Sequence, residues 1–160
     1  NMGKKEEKTN VMRLLDQAGI AYTPRYYDAS LASGTEVAAA LGQSAECVFK
    51  TLVAEANTGE HFVFVIPAPE TLSLKKAAKA AGVKSIAMLP QKKLLPLTGY
   101  VHGGCSPVGM KKPFPTWIDE TALLTDAFFC SAGRLGAQIG IDPETLAGYV
   151  GAQFADLTEE

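Results

Sequence analysis

The stretch VFKTLVAE at residues 48–55, followed by NTG at 57–59 and HFVFVI at 61–66, decides the fold class. Its two apolar segments are rich in β-branched and aromatic residues, and a short turn sequence separates them, which predicts an antiparallel hairpin. Lys50 interrupts the first strand on the face that also carries Val48. A buried ammonium without a partner is costly, so Lys50 is either a functional group or an edge residue that discourages aggregation. On spacing alone, the edge role is the commoner explanation.

Helical and strand patterns follow on both sides of the hairpin without a regular rhythm. Helix starts are predicted at Asn10, at the capping box Ser33-Gly34-Thr35-Glu36, at Ser73 and at Asp142-Pro143. Further strands are predicted at 21–27, 85–88, 100–102, 116–118, 127–131 and 137–141. Because strands outnumber helices and do not alternate with them, the sequence predicts a single α+β domain with a mixed, curved or barrel-like β-sheet flanked by helices.

The charges are distributed unevenly along a chain of ordinary globular composition. The 160 residues are 47% hydrophobic and 20% charged, which excludes a disordered or coiled-coil protein, and no apolar run is long enough to span a bilayer. The net charge of −2 is the sum of −3 over residues 1–70, +8 over residues 71–118 and −7 over residues 119–160. The middle block holds eight lysines and no acid, so we expect either a phosphate-binding face or an ordinary solvated lysine surface.

Cysteine usage and the first residues bear on compartment and processing. Three cysteines without a Cys-x-x-Cys pair, and only two histidines, argue against disulfides, a metal site or another cofactor, and favour a cytoplasmic protein. Residues 1–8 begin Asn1-Met2-Gly3 and are typical of a tag remnant and a charged leader, with no signal-peptide apolar segment. The folded domain is expected to span residues 9–160.

A glycine-rich loop, GGCSPVG at residues 103–109, is a second candidate for chemistry. Its backbone N–H groups would suit an oxyanion or a carbonyl oxygen, although an ordinary glycine-rich connection is the alternative. It lacks the nucleotide phosphate-loop pattern. Cys105 lies in this loop, but a turn need not bring His102 to it, so we expect no nucleophilic role for the thiol.

Two further segments carry polar residues in positions that suit a pocket. SAGRLG at residues 131–136 follows a predicted strand, and a serine, glycines and an arginine there would suit a pocket rim. An ordinary turn with Arg134 exposed is the alternative. Tyr27 ends another strand and could present its ring or hydroxyl to a ligand, although strand tyrosines usually pack.

Four segments occur in an order that resembles the YbaK/EbsC family. They are FKTL at 49–52, LKKAA at 74–78, GGCSPVG at 103–109 and SAGR at 131–134, and the resemblance covers about residues 11–157. Each motif is weak alone, but the ordered set is specific. The family is similar to the editing domain inserted in bacterial prolyl-tRNA synthetases. The resemblance implies the fold of a YbaK/aminoacyl-tRNA synthetase-associated domain and trans-editing, the hydrolytic removal of cysteine from misacylated Cys-tRNA(Pro).

The resemblance also implies which residues form the site. Residues expected to be catalytic are Lys50, Gly103 and Ser131. Residues expected to bind the substrate are Tyr27, Ser33, Gly104, Ser106 and Pro107, and those expected to bind tRNA are Lys75, Lys76, Lys111, Lys112 and Arg134. In the family mechanism, the thiol of the substrate attacks its own ester carbonyl, so no protein nucleophile is needed.

Two positions depart from the family pattern, and two other functions stay open. Ser33 stands where many relatives have an aromatic residue, and Leu135 follows Arg134 where relatives often have a second basic residue, which bears on amino-acid selectivity and tRNA contact. The expected partners are the acceptor end of tRNA(Pro) and a prolyl-tRNA synthetase, and no membrane. The alternatives are a non-catalytic tRNA- or synthetase-binding module, and a Schiff-base enzyme that uses Lys50.

Overall fold

The computed structural model describes residues 7–31 and 33–160, and within these ranges it contains five α-helices and eight β-strands. The helices are α1 (Asn10–Gln17), α2 (Gly34–Leu41), α3 (Leu74–Ala81), α4 (Leu94–Thr98) and α5 (Pro143–Val150). The strands are β1 (Thr23–Tyr26), β2 (Phe49–Ala56), β3 (His61–Pro67), β4 (Ile86–Met88), β5 (Thr116–Asp119), β6 (Phe128–Ser131), β7 (Ala137–Ile141) and β8 (Gln153–Ala155). Residues 1–6 of the predicted leader lie outside the described residues.

The strands form two sheets. One has the order β4-β2-β3-β5-β8 and is mixed, because β4, β2 and β3 are antiparallel neighbours whereas β3, β5 and β8 are parallel. The other is antiparallel, with the order β1-β7-β6. A parallel bridge between Val48 and Phe129 connects the two sheets. The predicted α+β class and mixed sheet are confirmed, but the described strands form two sheets and not a closed barrel.

The β2–β3 hairpin forms with the predicted pairing and separates two cores. Glu55 lies opposite His61 at the turn end, and Phe49 lies opposite Pro67 at the other end. Alternate β3 side chains point to opposite faces, so Val63 and Val65 enter the larger core while Phe64 packs in a second core beneath α3. Burial on both faces explains why this strand is continuously apolar.

The helix starts follow the capping chemistry of the sequence, with one correction. The Ser33 hydroxyl oxygen accepts a hydrogen bond from the Glu36 N–H at 3.2 Å, and the Ser33 O–H donates to the Glu36 carboxylate. The predicted Ser33–Glu36 pair therefore caps α2, with the carboxylate bound to the serine hydroxyl. Ser73 and Asp142 cap α3 and α5 as predicted. The prediction of Asn10 as the first cap is wrong, because the Thr9 hydroxyl caps α1 through the Met12 N–H.

Two short segments differ from the sequence prediction. The predicted strand at residues 100–102 is wrong, because this segment turns back on itself: the Gly104 N–H donates to the Val101 carbonyl, and the Tyr100 N–H donates to the Thr98 hydroxyl. Strand β8 was not predicted, and it pairs in parallel with β5. Strand β8 depends on a partner that is distant in the sequence, whereas the turn at 100–102 is made by local hydrogen bonds that override the strand preference of its residues.

Candidate active site

A cavity of about 410 Å³ lies where the two sheets meet. The Val48–Phe129 bridge aligns β2 with β6, and two residues further along each strand are Lys50 and Ser131, which both line the cavity. The start of α2, the tip of the glycine-rich loop and β7 complete its wall. The described lining residues are Tyr27, Leu31, Ser33, Gly34, Val37, Val48, Phe49, Lys50, Thr51, Leu52, Ala68, Leu94, His102, Gly103, Cys105, Ser131, Leu135 and Gln138.

The cavity brings together five of the residues that the sequence predicts for catalysis and substrate binding. They are Tyr27, Ser33, Lys50, Gly103 and Ser131. They come from five separate segments of the chain, and their convergence in one cavity is what a site requires. The individual roles of these residues stay predictions.

The other three predicted substrate-binding residues lie behind the wall of the cavity. Gly104 is buried and its N–H is already used in the turn to Val101. Ser106 is buried, and its hydroxyl oxygen accepts a hydrogen bond from the Val108 N–H at 3.1 Å. Pro107 borders a separate cavity of about 260 Å³. In this structure, these residues shape the loop and do not face the main cavity.

Lys50 is a half-buried cation on the wall of the cavity. Among the described residues, it forms no hydrogen bond and no ion pair. Burial lowers the pKa of Lys50 below its ordinary value, and the nearby Glu70 partly offsets this. Since the cavity lining contains no carboxylate to neutralise Lys50, its ammonium is available to an anionic or electron-rich group of a ligand.

Close packing requires the two glycines at the loop tip. Gly103 has φ +86°, a region that L-residues rarely adopt, and an added Cβ would lie 2.8 Å from Leu135 Cδ2. At Gly104, an added Cβ would lie 3.1 Å from the Arg134 Cα. The loop therefore packs directly on the turn that follows β6. The Gly103 N–H donates to no described residue, in contrast to that of Gly104.

Cys105 contributes to the wall but is not an activated thiol. It is 5% exposed, and burial raises the pKa of its thiol to about 12. At neutral pH it is therefore protonated, as expected for a packing residue. His102 also lines the cavity. Within residues 7–31 and 33–160, no group of histidine, cysteine and acidic side chains has the arrangement of a metal site.

Two polar residues of the cavity were missed from the sequence. The Oγ1 atom of Thr51 and the Oε1 atom of Gln138 are both buried without a hydrogen-bond partner in residues 7–31 and 33–160. Gln138 lies directly opposite Ser131 in the β6–β7 pairing. The available signal was a glutamine within AQIGI, an otherwise apolar strand, and a threonine next to Lys50.

Comparison with known proteins decides the family. The profile of the aminoacyl-tRNA editing domain family matches residues 28–149, three quarters of the chain. The chain belongs to this family. It is 42% identical over 159 residues to the "Putative Cys-tRNA(Pro)/Cys-tRNA(Cys) deacylase EbsC" of Enterococcus faecalis, with 97% of this chain and 96% of that protein covered.

Solved structures support the same assignment. A "putative trans-editing enzyme for prolyl tRNA synthetase" is 26% identical, covers all of both chains and superposes with a TM-score of 0.83. A hypothetical protein of known structure is also 26% identical, covers 93% of this chain and 99% of its own, and has a TM-score of 0.86. The enzyme class predicted from the sequence, an aminoacyl-tRNA deacylase, is confirmed, and tRNA is its partner. No helix within the described ranges has the length and apolar character to cross a membrane.

The predicted tRNA contacts of this editing domain fall on two different surfaces. Lys75 and Lys76 lie on α3, where Lys76 Nζ is 3.0 Å from Asp156 and donates to the Thr158 carbonyl at 2.7 Å. The Glu159 N–H donates to the Thr71 carbonyl, so the acidic end of the chain runs beside this helix. Acidic groups therefore offset the positive charge near α3.

The second basic surface lies next to the cavity. Lys92 and Lys93 are exposed in the turn directly before α4, and the first residue of α4, Leu94, lines the cavity. Lys111 packs on Gly99 at the other end of α4, and its ammonium donates to the Pro96 carbonyl at 3.3 Å. We call Lys92, Lys93, Lys111 and Lys112 the α4 basic surface. Arg134 sits on the neighbouring turn, with its guanidinium 5.8 Å from the centre of the Tyr26 ring.

Proposed function

We propose that this editing domain hydrolyses the ester of Cys-tRNA(Pro) in trans. The observation that carries the proposal is the cavity itself, in which an unpaired lysine, a positive-φ glycine with a free N–H and a serine meet without an activated protein nucleophile. The 42% identical relative has a name that gives the same substrate. An aminoacyl ester is already activated, so positioning and charge stabilisation suffice to accelerate its hydrolysis.

In the proposed mechanism, the cysteine thiol of the substrate attacks its own ester carbonyl. A carbon–sulfur bond forms, the carbon–oxygen bond to the terminal ribose breaks, and the thiol proton ends on the ribose hydroxyl. Water then opens the resulting thiolactone to free cysteine. Since neither step uses a protein nucleophile, the protonated state of Cys105 is no obstacle.

Each cavity residue has a distinct task in this mechanism. The Lys50 ammonium binds the phosphate or ribose oxygens of the terminal adenosine, and hydrogen bonds to charged groups contribute about 1.5–3 kcal/mol each. The Gly103 N–H stabilises the oxygen of the ester carbonyl as negative charge develops. Ser131, opposite Gln138, is assigned to receive the small cysteinyl side chain, and Tyr27 and Ser33 are assigned to enclose the substrate.

The α4 basic surface and Arg134 are the proposed contacts with the acceptor stem. They adjoin the wall that Leu94 and Gly103 contribute, so phosphates near the terminal adenosine come within their reach. Lys75 and Lys76, in contrast, lie beside the acidic end of the chain and are assigned a minor part. With few phosphate contacts, binding is expected to be weak and to fall steeply with salt.

Two further points belong to the proposal. A prolyl-tRNA synthetase would supply the selectivity for tRNA(Pro), because a chain that is acidic overall is expected to bind tRNA loosely. The absence of any Cys-x-x-Cys pair and the three free cysteines support a cytoplasmic location.

The deciding experiment measures ester loss from Cys-tRNA(Pro), with S-methylcysteinyl-tRNA(Pro) as the matched substrate without a free thiol. We expect hydrolysis of the first and little hydrolysis of the second, and a loss of activity in Lys50→Ala. Salt-dependent tRNA binding without deacylation would instead identify a non-catalytic module. Mass added to Lys50 by borohydride in the presence of a carbonyl compound would identify Schiff-base chemistry.

A further inference from the structure

Gln138 is fixed in position before any substrate arrives. Its strand, β7, is the central strand of the three-stranded sheet, and Gln138 pairs with Arg25 on one side and with Ser131 on the other. The residue is only 6% exposed, and its side chain lines the cavity. A ladder on both sides leaves the backbone at this position little freedom to move.

The side-chain oxygen of Gln138 is buried there without a donor. The Ser131 hydroxyl, directly opposite, accepts a hydrogen bond from the Gly133 N–H at 3.1 Å but donates none to Oε1, which has no partner among the described residues. A carbonyl oxygen can only accept, so it cannot satisfy itself by rotating as a hydroxyl can. An unpaired acceptor on a buried residue that lines a cavity is therefore a candidate for a bond to a ligand donor, once the amide turns towards the cavity.

The groups that line the cavity indicate which donor of the ligand binds the Gln138 oxygen. An aminoacyl ester has an α-ammonium group next to the reacting carbonyl, and this group must be hydrogen-bonded when it leaves water. The described lining contains no aspartate or glutamate to receive it. A thiol is only a weak donor, whereas a charge-assisted hydrogen bond is about twice as strong as a neutral one.

We propose that the side-chain oxygen of Gln138 binds the α-ammonium group of the aminoacyl ester and thereby positions the ester carbonyl near Gly103. Gln138 is thus a further substrate-binding and specificity-determining residue. The inference rests on the proposed function for the identity of the ligand. It accounts for a polar side chain in the apolar strand AQIGI, for its unpaired oxygen and for the missing carboxylate.

The test measures binding of two stable amides of 3′-amino-3′-deoxyadenosine by calorimetry. One carries cysteine and the other carries 3-mercaptopropionate, which keeps the thiol and lacks the amino group. Wild-type protein is expected to bind the cysteinyl amide about 10- to 100-fold more tightly. Gln138→Met should abolish this preference, Gln138→Glu should retain it, and Gln153→Met, a matched change on exposed β8, should behave as wild type.

The outcomes separate this inference from the proposed function. Equal binding of the two amides by wild type would overturn the role of Gln138. An equal loss of affinity for both amides in Gln138→Met would also overturn it, because that result indicates a merely structural residue. Failure of the cysteinyl amide to bind to wild type would also overturn it. Failure of wild type to hydrolyse Cys-tRNA(Pro), measured separately, contradicts the proposed function alone, because the amides report binding without hydrolysis.

Discussion

Replacing Gly103 by alanine tests the role of the loop tip, and Gly59 provides its control. Both glycines have nearly the same left-handed backbone, with φ +86° at Gly103 and φ +88° at Gly59. An added Cβ at Gly59 meets nothing within 4 Å, whereas at Gly103 it would lie 2.8 Å from Leu135 Cδ2. The two substitutions therefore share the backbone penalty and differ in the contact.

The expected magnitudes follow from these two terms. A left-handed non-glycine residue costs roughly 1–2 kcal/mol, so both variants should lose about that much free energy of unfolding. The added contact at Gly103 is with the tip of a 41% exposed leucine, which can move aside, so its extra cost should stay below about 1 kcal/mol. For a chain of this length, each kcal/mol lowers Tm by about 2–4 °C.

Activity should separate the two variants sharply. In Gly103→Ala, Leu135 yields only in part, so the strained loop tip shifts the N–H that is proposed to stabilise the ester carbonyl, and a 1 Å misplacement of such a group costs on the order of 100-fold in rate. Gly59→Ala should deacylate Cys-tRNA(Pro) at the wild-type rate. Urea unfolding and single-turnover deacylation measure the two effects. Full activity in Gly103→Ala, or a stability loss in Gly103→Ala several kcal/mol beyond that in Gly59→Ala, would refute the reasoning.

Three further predictions concern other residues. Lys50→Met should lose at least about 10-fold in deacylation, from one charge-assisted hydrogen bond, yet unfold at a higher Tm at neutral pH. Burial lowers the pKa of Lys50 in the folded state, so the charged lysine destabilises the fold fully below that pKa. This destabilisation disappears as the pH rises towards the ordinary value of 10.5. Thermal scans from pH 7 to 10.5 should therefore show the difference in Tm between Lys50→Met and wild type shrinking. Cys105→Ala should keep deacylase activity in the same assay, since the thiol is protonated; a dead but folded variant would contradict this. Asp119→Ala should lower the free energy of unfolding in urea by roughly 2–4 kcal/mol, because the buried Leu157 N–H and the Thr121 N–H lose their acceptor; a change below about 1 kcal/mol would count against this.

Local patterns in the sequence predicted most of the fold. The hairpin, the capping box at Ser33 and the caps at Ser73 and Asp142 depend on neighbouring residues, and all of them form. One failure involves a partner far along the chain, and the other involves local hydrogen bonds that the strand pattern did not reveal. Strand β8 exists because β5 offers it a free edge, and the segment 100–102 turns because Thr98 and Gly104 engage its backbone.

The sequence predicted which residues meet in the cavity, but not the direction and hydrogen bonding of every side chain. Lys50, Gly103 and Ser131 were singled out as chemical anomalies, and they line one cavity. Ser106, by contrast, is adjacent in sequence to the loop tip but faces away, since a tight turn sends successive residues in different directions. The unpaired oxygen of Gln138 has no counterpart in sequence, because whether a polar atom finds a partner is decided by tertiary packing.

The bridge between Val48 and Phe129 bears on which amino acids this enzyme accepts. All the ladders of the described residues lie within one sheet or the other, so we expect a small change in the angle between the sheets to leave these ladders intact. The cavity lies between them, and its width follows that angle. At Gly140, an added Cβ would lie 2.7 Å from the Phe129 ring. A substitution there should alter which substrate side chains the cavity accepts without altering any residue that touches the substrate. We therefore expect the amino-acid selectivity of this enzyme to depend on the packing around the Val48–Phe129 bridge as well as on the residues that line the cavity.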